Sequence, residues 1–275
     1  MADQPRFAIL GFGNMGRALL RGILKAGLTP PDHVTVTARS PSRLTAAATE
    51  FGVNTTSNNR SAIENASTII LSIKPQNLEP VGAEIRGAVT PDQLVVSILA
   101  GKTTAAIEEL LRGDDGAALP VIRVMPNIPV MVDAGCSPYA RGPHATDEHV
   151  ALVEALLQSV GETAEVAEHL MDAVTGLSGS GPAYVYMMIE ALTDGGVKMG
   201  LPRDVAIRLA AQTIYGAALV VKETGLHPAI LRDQVTTPGG TAIAAISDLE
   251  ENGLRPMLIS AVVTATLRSQ DLSNA

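Results

Sequence analysis

Between Arg6 and Asn127, short runs rich in β-branched residues alternate with longer segments whose apolar positions recur every three or four residues. The runs predict strands over residues 7–10, 34–37, 68–73, 94–99 and 121–124. The segments between them predict helices over 15–26, 42–51, 78–87 and 103–111. Gly27 and Gly52 stand where two of these helices need a left-handed residue to stop. Parallel neighbours require a crossover, so strand–helix–strand alternation builds a parallel sheet.

Past Ala145 the pattern changes. A helix is expected over 147–160 and a short strand over 163–166; the remainder is Ala-rich, helix-periodic and punctuated by Gly and Pro. Two segments, 183–199 and 204–223, are long and apolar on more than one face, which a lone surface helix is not; burial against a partner subunit accounts for them. The expected division is a sheet domain over residues 1–167 and an all-helical domain over 168–275, with no flexible linker between them.

Length and composition agree with this division. A chain of 275 residues suits two domains at roughly 150 residues each. Hydrophobic residues make up 46% but aromatics only 3%, with no Trp, so Ala, Val, Leu and Ile pack the core, as close helix-on-sheet contact requires. A net charge of -8 argues against binding nucleic acid, although a local cluster of donors can still hold a small phosphorylated ligand. Cys136 is the only cysteine, which excludes an intrachain disulfide and a cysteine-rich zinc site. His33, His144, His149, His169 and His227 follow no ligand spacing, so no metal is expected. No run of about 20 apolar residues and no signal-peptide order at the N-terminus are read, and the expectation is a cytoplasmic protein that meets no membrane.

The most informative motif is Gly11-Phe12-Gly13-Asn14-Met15-Gly16, a GxGxxG that follows the first predicted strand and opens the first helix. Gly11 allows the tight turn, Gly13 lets the backbone approach a pyrophosphate, and Gly16 allows close helix packing, with the free N–H groups of the helix facing the anion. An NAD-specific site normally ends its second strand in Asp or Glu. Here the strand ends Thr37-Ala38-Arg39-Ser40, with Arg43 beyond, a set suited to a phosphate, which predicts NADPH in preference to NADH. Three later strand ends complete the cofactor candidates: Ile73-Lys74-Pro75, Ala100-Gly101 and Met125-Pro126-Asn127. Lys74 is a candidate donor to a ribose hydroxyl, and Asn127 one to the nicotinamide carboxamide.

The second half holds two Gly-rich helix entrances, at residues 175–182 and 236–241. Exposed N–H groups at such an entrance bind a carboxylate without an arginine, helped by about 0.3–1 kcal/mol from the helix dipole. Here the sequence resembles the pyrroline-5-carboxylate reductase family over residues 7–272, through the GFGNMG turn, IKPQ at 73–76, VMPN at 124–127, GLSGSGPAYVY at 176–186, DGGVKMGLPR at 194–203 and TTPGGT at 236–241.

The resemblance implies an α/β protein: an N-terminal Rossmann-type parallel sheet followed by a C-terminal all-helical dimerisation domain. It implies NADPH-dependent reduction of 1-pyrroline-5-carboxylate to L-proline. The active site would lie between the cofactor of one subunit and the Pro-Gly-Gly entrance of its partner, in dimers that assemble further into decamers. It places Asn59 at the adenosine end of the cofactor, and Ser178, Gly179, Gly239, Gly240, Thr241 and Ala242 around the substrate. The family usually has a threonine at the position of Ala242, whose hydroxyl contacts the ring nitrogen, and another after Met-Pro-Asn, where this chain has Ile128. These two departures motivate the alternatives: a reductase of another cyclic imine or small acid, or a cofactor-binding oligomer with weakened catalysis.

Overall fold

A computed structural model describes residues 4–273 of the chain. Its strands are β1 (Phe7–Leu10), β2 (Val34–Thr37), β3 (Asn54–Thr56), β4 (Thr68–Leu71), β5 (Leu94–Ser97), β6 (Val121–Val124), β7 (Gly135–Cys136), β8 (Tyr139–Arg141) and β9 (Gly161–Glu162). Its helices are α1 (Asn14–Lys25), α2 (Pro41–Phe51), α3 (Asn59–Ile63), α4 (Leu78–Ile85), α5 (Thr104–Leu111), α6 (Asp147–Gln158), α7 (Met171–Val174), α8 (Gly181–Lys198), α9 (Arg203–Thr224), α10 (Pro228–Gln234), α11 (Thr241–Glu251) and α12 (Leu254–Ser273).

The chain forms two compact units: one runs to Gly179 and takes back the segment from Ala265 onward, and the other comprises Ser180–Thr264. In the first unit the main sheet has the order β3-β2-β1-β4-β5-β6-β8, parallel throughout except for β8, which runs antiparallel to β6. Because β1 pairs with both β2 and β4, the strand order reverses there, and the carboxyl ends of β1 and β4 diverge into a crevice.

Every residue of β1, β4, β5 and β6 is buried. Alternate positions serve opposite faces. Phe7, Ile9, Ile70, Val96 and Ile122 pack with Leu19, Leu20 and Ile23 of α1 and with Val153 and Leu156 of α6. Ala8, Leu10, Ile69, Leu71, Val95 and Val121 pack with Ile63, Leu78, Ile85 and Ile107 on the other side. Gly27 and Gly52 adopt φ +63° and +68°, as expected at helix ends.

Three expectations are corrected. The strand expected over 163–166 is realised at Gly161–Glu162, with only an isolated bridge from Glu165 to Tyr139. The Gly-rich stretch expected as a helix entrance is wound: Thr175–Gly179 is a π-turn continuing α7, and α8 starts at Gly181 with Pro182 in its first turn. Thr175 and Ser178 hydroxyls donate back to the Met171 and Val174 carbonyls, which supports this widened turn. Finally, α9 is by length and composition long and apolar enough to cross a membrane, because its charges lie mostly at its ends.

In the second unit α8 and α9 cross closely: a Cβ on Gly196 would come within 3.2 Å of Ala206 Cβ. Much of the apolar surface here is uncovered within one chain, including Met187, Leu192, Leu209, Tyr215 and Ile259. That exposure agrees with the expectation of helices made to be covered by something else.

Candidate dinucleotide site

A cavity of about 620 Å³ opens at the carboxyl edge of the sheet, beside the crevice between β1 and β4. Its floor is the glycine turn. Gly11 has φ +97°, and a Cβ there would come within 2.5 Å of the Ser72 carbonyl oxygen, so only glycine fits where β1 leaves the sheet. A Cβ on Gly16 would lie 2.5 Å from the Gly11 carbonyl, which seats α1 directly on the turn. A Cβ on Gly13, by contrast, would meet nothing within 4 Å. The open space over Gly13 is where a ligand's phosphates would pass. Gly13 also caps α1 without any side-chain hydrogen bond, leaving the first-turn N–H groups without a side-chain acceptor.

One cavity wall is the junction between β2 and α2, with Arg39, Ser40 and Arg43. Among the described residues neither guanidinium forms an ion pair with a carboxylate, which suits both to a phosphate. The segment after β4 and α4 also line the cavity, with Ser72, Ile73, Lys74, Pro80, Val81 and Glu84. Ser72 Oγ is buried and has no hydrogen-bond partner among the described residues, a polar atom placed to meet a ligand. These features fit a phosphorylated dinucleotide.

The sequence-derived candidates fall into three places. Gly11, Phe12, Gly13, Arg39, Ser40, Arg43, Asn59, Ile73 and Lys74 line the cavity. The Phe12 ring itself lies in the core, edge-on to Phe51 at 6.2 Å between centroids, so its backbone is the part near the turn. Asn14, Met15 and Gly16 form the first turn of α1, while Pro75 opens an exposed 3-10 turn. The cap of α3 is Asn58, which accepts from Ser61 N, and this frees the neighbouring Asn59 side chain for other bonds.

A second group gathers beyond β6. The Asn127 amide donates to the Ser178 carbonyl at 3.0 Å and accepts from Cys136 N at 2.8 Å, so it acts as a strut within the protein. A Cβ on Gly179 would come within 2.7 Å of Met125 Cε, so the π-turn rests on the strand end. At the end of β5, Gly101 has φ +74°, and a Cβ there would sit 3.4 Å from Ser273 Oγ at the last turn of α12. That turn is itself held by Ser269 Oγ donating to Asp172 Oδ1 at 2.6 Å.

In the second unit, Gly239 has φ +71° and Gly240 caps α11 with no side-chain bond, so Thr241 and Ala242 open a helix whose N-terminus is unfilled. Ser57, Ser72, Asn77, Pro80, Val81 and Glu84 escaped the sequence reading. Ser72 was within reach of it, because it directly follows a strand flanking the reversal of strand order. The α4 residues were not, since spacing alone does not orient that helix.

Sheet topology and glycine turn together define a dinucleotide-binding protein of the Rossmann class. A family model described as pyrroline-5-carboxylate reductase dimerisation matches residues 168–272, and one described as NADP oxidoreductase, coenzyme F420-dependent, matches residues 6–101. A pyrroline-5-carboxylate reductase of Arabidopsis thaliana is 39% identical over 274 residues, covering 100% of this chain and 98% of that protein. Among solved structures, a pyrroline-5-carboxylate reductase from Coxiella burnetii superposes with a TM-score of 0.91 at 34% identity, covering 98% of this chain and 99% of that one. The pyrroline carboxylate reductase of Plasmodium falciparum, solved with NADP bound, gives a TM-score of 0.85 at 29% identity, covering 98% of both chains. The chain belongs to the pyrroline-5-carboxylate reductase family.

Proposed function

We propose that this protein reduces 1-pyrroline-5-carboxylate to L-proline with NADPH. The observation that carries the reading is the cavity lined both by an open glycine turn and by Arg39 and Arg43, which form no ion pair among the described residues, in a chain aligned over its length with enzymes of that name. Bound NADPH would supply the hydride that reduces the C=N bond.

The residues of the chain bind and orient. The turn at Gly11–Gly13 and the N–H groups opening α1 would hold the pyrophosphate, and Arg39, Ser40 and Arg43 would hold the 2′-phosphate. The α11 entrance, capped by Gly240 without a side chain, offers N–H groups to the substrate carboxylate. A protonated imine is already electrophilic, so alignment and exclusion of water account for most of what the protein must add. Ala242 brings no side-chain donor to the ring nitrogen, which leaves Thr241 or a water to supply it.

The matched dimerisation region supports self-association, and the apolar faces of α8 and α9 are the surfaces we assign to it, with a decamer as the higher assembly. A single cysteine, which allows no intrachain disulfide, is in keeping with the cytoplasmic location we assign to the protein. The test is to compare NADPH oxidation with 1-pyrroline-5-carboxylate against 1-pyrroline-2-carboxylate. A preference of at least about tenfold in kcat/KM for the first is expected. A preference for the second would support the cyclic-imine alternative that Ala242 and Ile128 motivate.

A further inference from the structure

Glu84 sits in the wall of a cavity suited to a ligand with several negative phosphates, and a carboxylate there needs another reason to exist. Its hydrogen bonds supply one. Asn59 Nδ2 donates to Glu84 Oε2 at 2.6 Å, Thr37 Oγ1 donates to Asn59 Oδ1 at 2.7 Å, and Gly11 N–H donates to Thr37 Oγ1 at 3.2 Å, sharing its hydrogen with the Thr37 carbonyl. An ionised carboxylate only accepts, so the Asn59 amide must turn its NH2 group toward Glu84 and its oxygen toward Thr37. That oxygen takes the single hydroxyl proton of Thr37, which leaves the hydroxyl lone pairs facing the Gly11 N–H. With the amide reversed, Asn59 would donate to the Thr37 hydroxyl and occupy one of its lone pairs, and the hydroxyl proton would lose the Asn59 acceptor toward which it points. One carboxylate therefore fixes the orientation of the Asn59 amide and of the Thr37 hydroxyl, which accepts from the Gly11 N–H at the first glycine of the dinucleotide turn.

We propose that Glu84 is a positioning residue for the cofactor: acting through Asn59 and Thr37, it holds Gly11 against the end of β2 and keeps the turn ready for NADPH. The proposal rests on the NADPH reading above. It differs from a direct contact between Glu84 and the cofactor, and from a general effect of its charge.

The experiment measures NADPH dissociation constants by fluorescence titration for wild type, Glu84→Ala, Glu84→Gln, Thr37→Val and the double variant Glu84→Ala/Thr37→Val, with circular dichroism to confirm folding. Glu84→Ala and Thr37→Val should each weaken binding about fivefold, the scale of one lost hydrogen bond. Glu84→Gln keeps an acceptor oxygen within reach of Asn59 and should stay within about twofold of wild type. The double variant should bind no more weakly than Thr37→Val alone, because the two residues act along one chain. Should Thr37→Val fail to fold, Asn59→Ala serves as the second background. Equal losses for Glu84→Ala and Glu84→Gln would show a charge effect, and multiplying losses in the double variant would show direct contact; either overturns the proposal. An unchanged Glu84→Ala in a wild type that binds NADPH overturns it alone. A wild type that does not bind NADPH overturns the functional reading and this proposal with it.

Discussion

The entrances of α1 and α11 are the same device in two settings. Both helices begin after an extended glycine cap that makes no side-chain hydrogen bond, Gly13 in one and Gly240 in the other, and both follow a glycine with positive φ. Around α1 the neighbours leave little freedom. Gly16 is buried on the turn, Gly11 touches the segment after β4, and the arginine wall stands across the cavity. Around α11 a Cβ on Gly239 would meet nothing within 4 Å, and Thr241 is exposed. An unfilled helix N-terminus attracts an anion in either case, but only packing and added charge make it selective for one. The first entrance has both within its own unit; the second is crowded at its cap, where a Cβ on Gly240 would run into Thr237 Oγ1, and the first turn of α11 carries no cationic side chain.

The comparison can be broken most severely at the glycines themselves. Gly11→Ala places a methyl group into the Ser72 carbonyl at a φ of +97° and should weaken NADPH binding by about 100-fold or more, with a lower Tm. Gly239→Ala meets no atom and carries only the cost of its φ of +71°, so it should leave NADPH binding unchanged. Equal losses in the two variants would mean that packing does not distinguish the entrances.

Arg39→Ala removes a charge-assisted contact and should weaken NADPH by about 30-fold while changing NADH by less than about twofold. Parallel losses for both cofactors would refute the phosphate role. At the other entrance, Ala242→Thr supplies a hydroxyl to the ring nitrogen and should raise kcat about tenfold with NADPH affinity unchanged. A flat kcat would mean that Thr241 or a water already does the work.

The smallest effect is expected at the start of α6. Thr146 and His149 form a capping box at α6, in which Thr146 N–H donates to His149 Nδ1 at 3.2 Å. Burial holds the His149 pKa below its usual value, outweighing the nearby Glu148 charge. The unfolded chain therefore takes up the proton first, and the capping contribution is complete above about pH 6.5 and is lost as pH falls through the lowered folded pKa. His149→Gln should keep the box and flatten the pH dependence of Tm across that window.

Much of the first unit could be read from the chain because most strands of its main sheet are buried on both faces and so appear as short runs rich in β-branched and other apolar residues. β1, β2 and β6 begin and end where expected. β4 and β5 stop two residues early because Ile73 and Leu99, though apolar, already belong to loops at the carboxyl edge. β3 and α3 escaped because Asn54-Thr55-Thr56 carries no apolar alternation and the helix is a single short turn. Of the site, the glycines and arginines were legible, since backbone clearance and charge follow from residue type. Glu84, Pro80 and Val81 were not, since they depend on how α4 is rotated. The π-turn at Thr175–Gly179 was equally hidden, because its hydroxyl-to-carbonyl bonds compete with an ordinary helical turn that the same residues also permit.

The most direct test of the central claim is to incubate the purified protein with NADPH and 1-pyrroline-5-carboxylate and follow cofactor oxidation and L-proline together. The account predicts one proline formed for each NADPH consumed, with kcat/KM at least about tenfold lower when NADH replaces NADPH. Saturable NADPH binding without proline formation, or equal use of both cofactors, would contradict it.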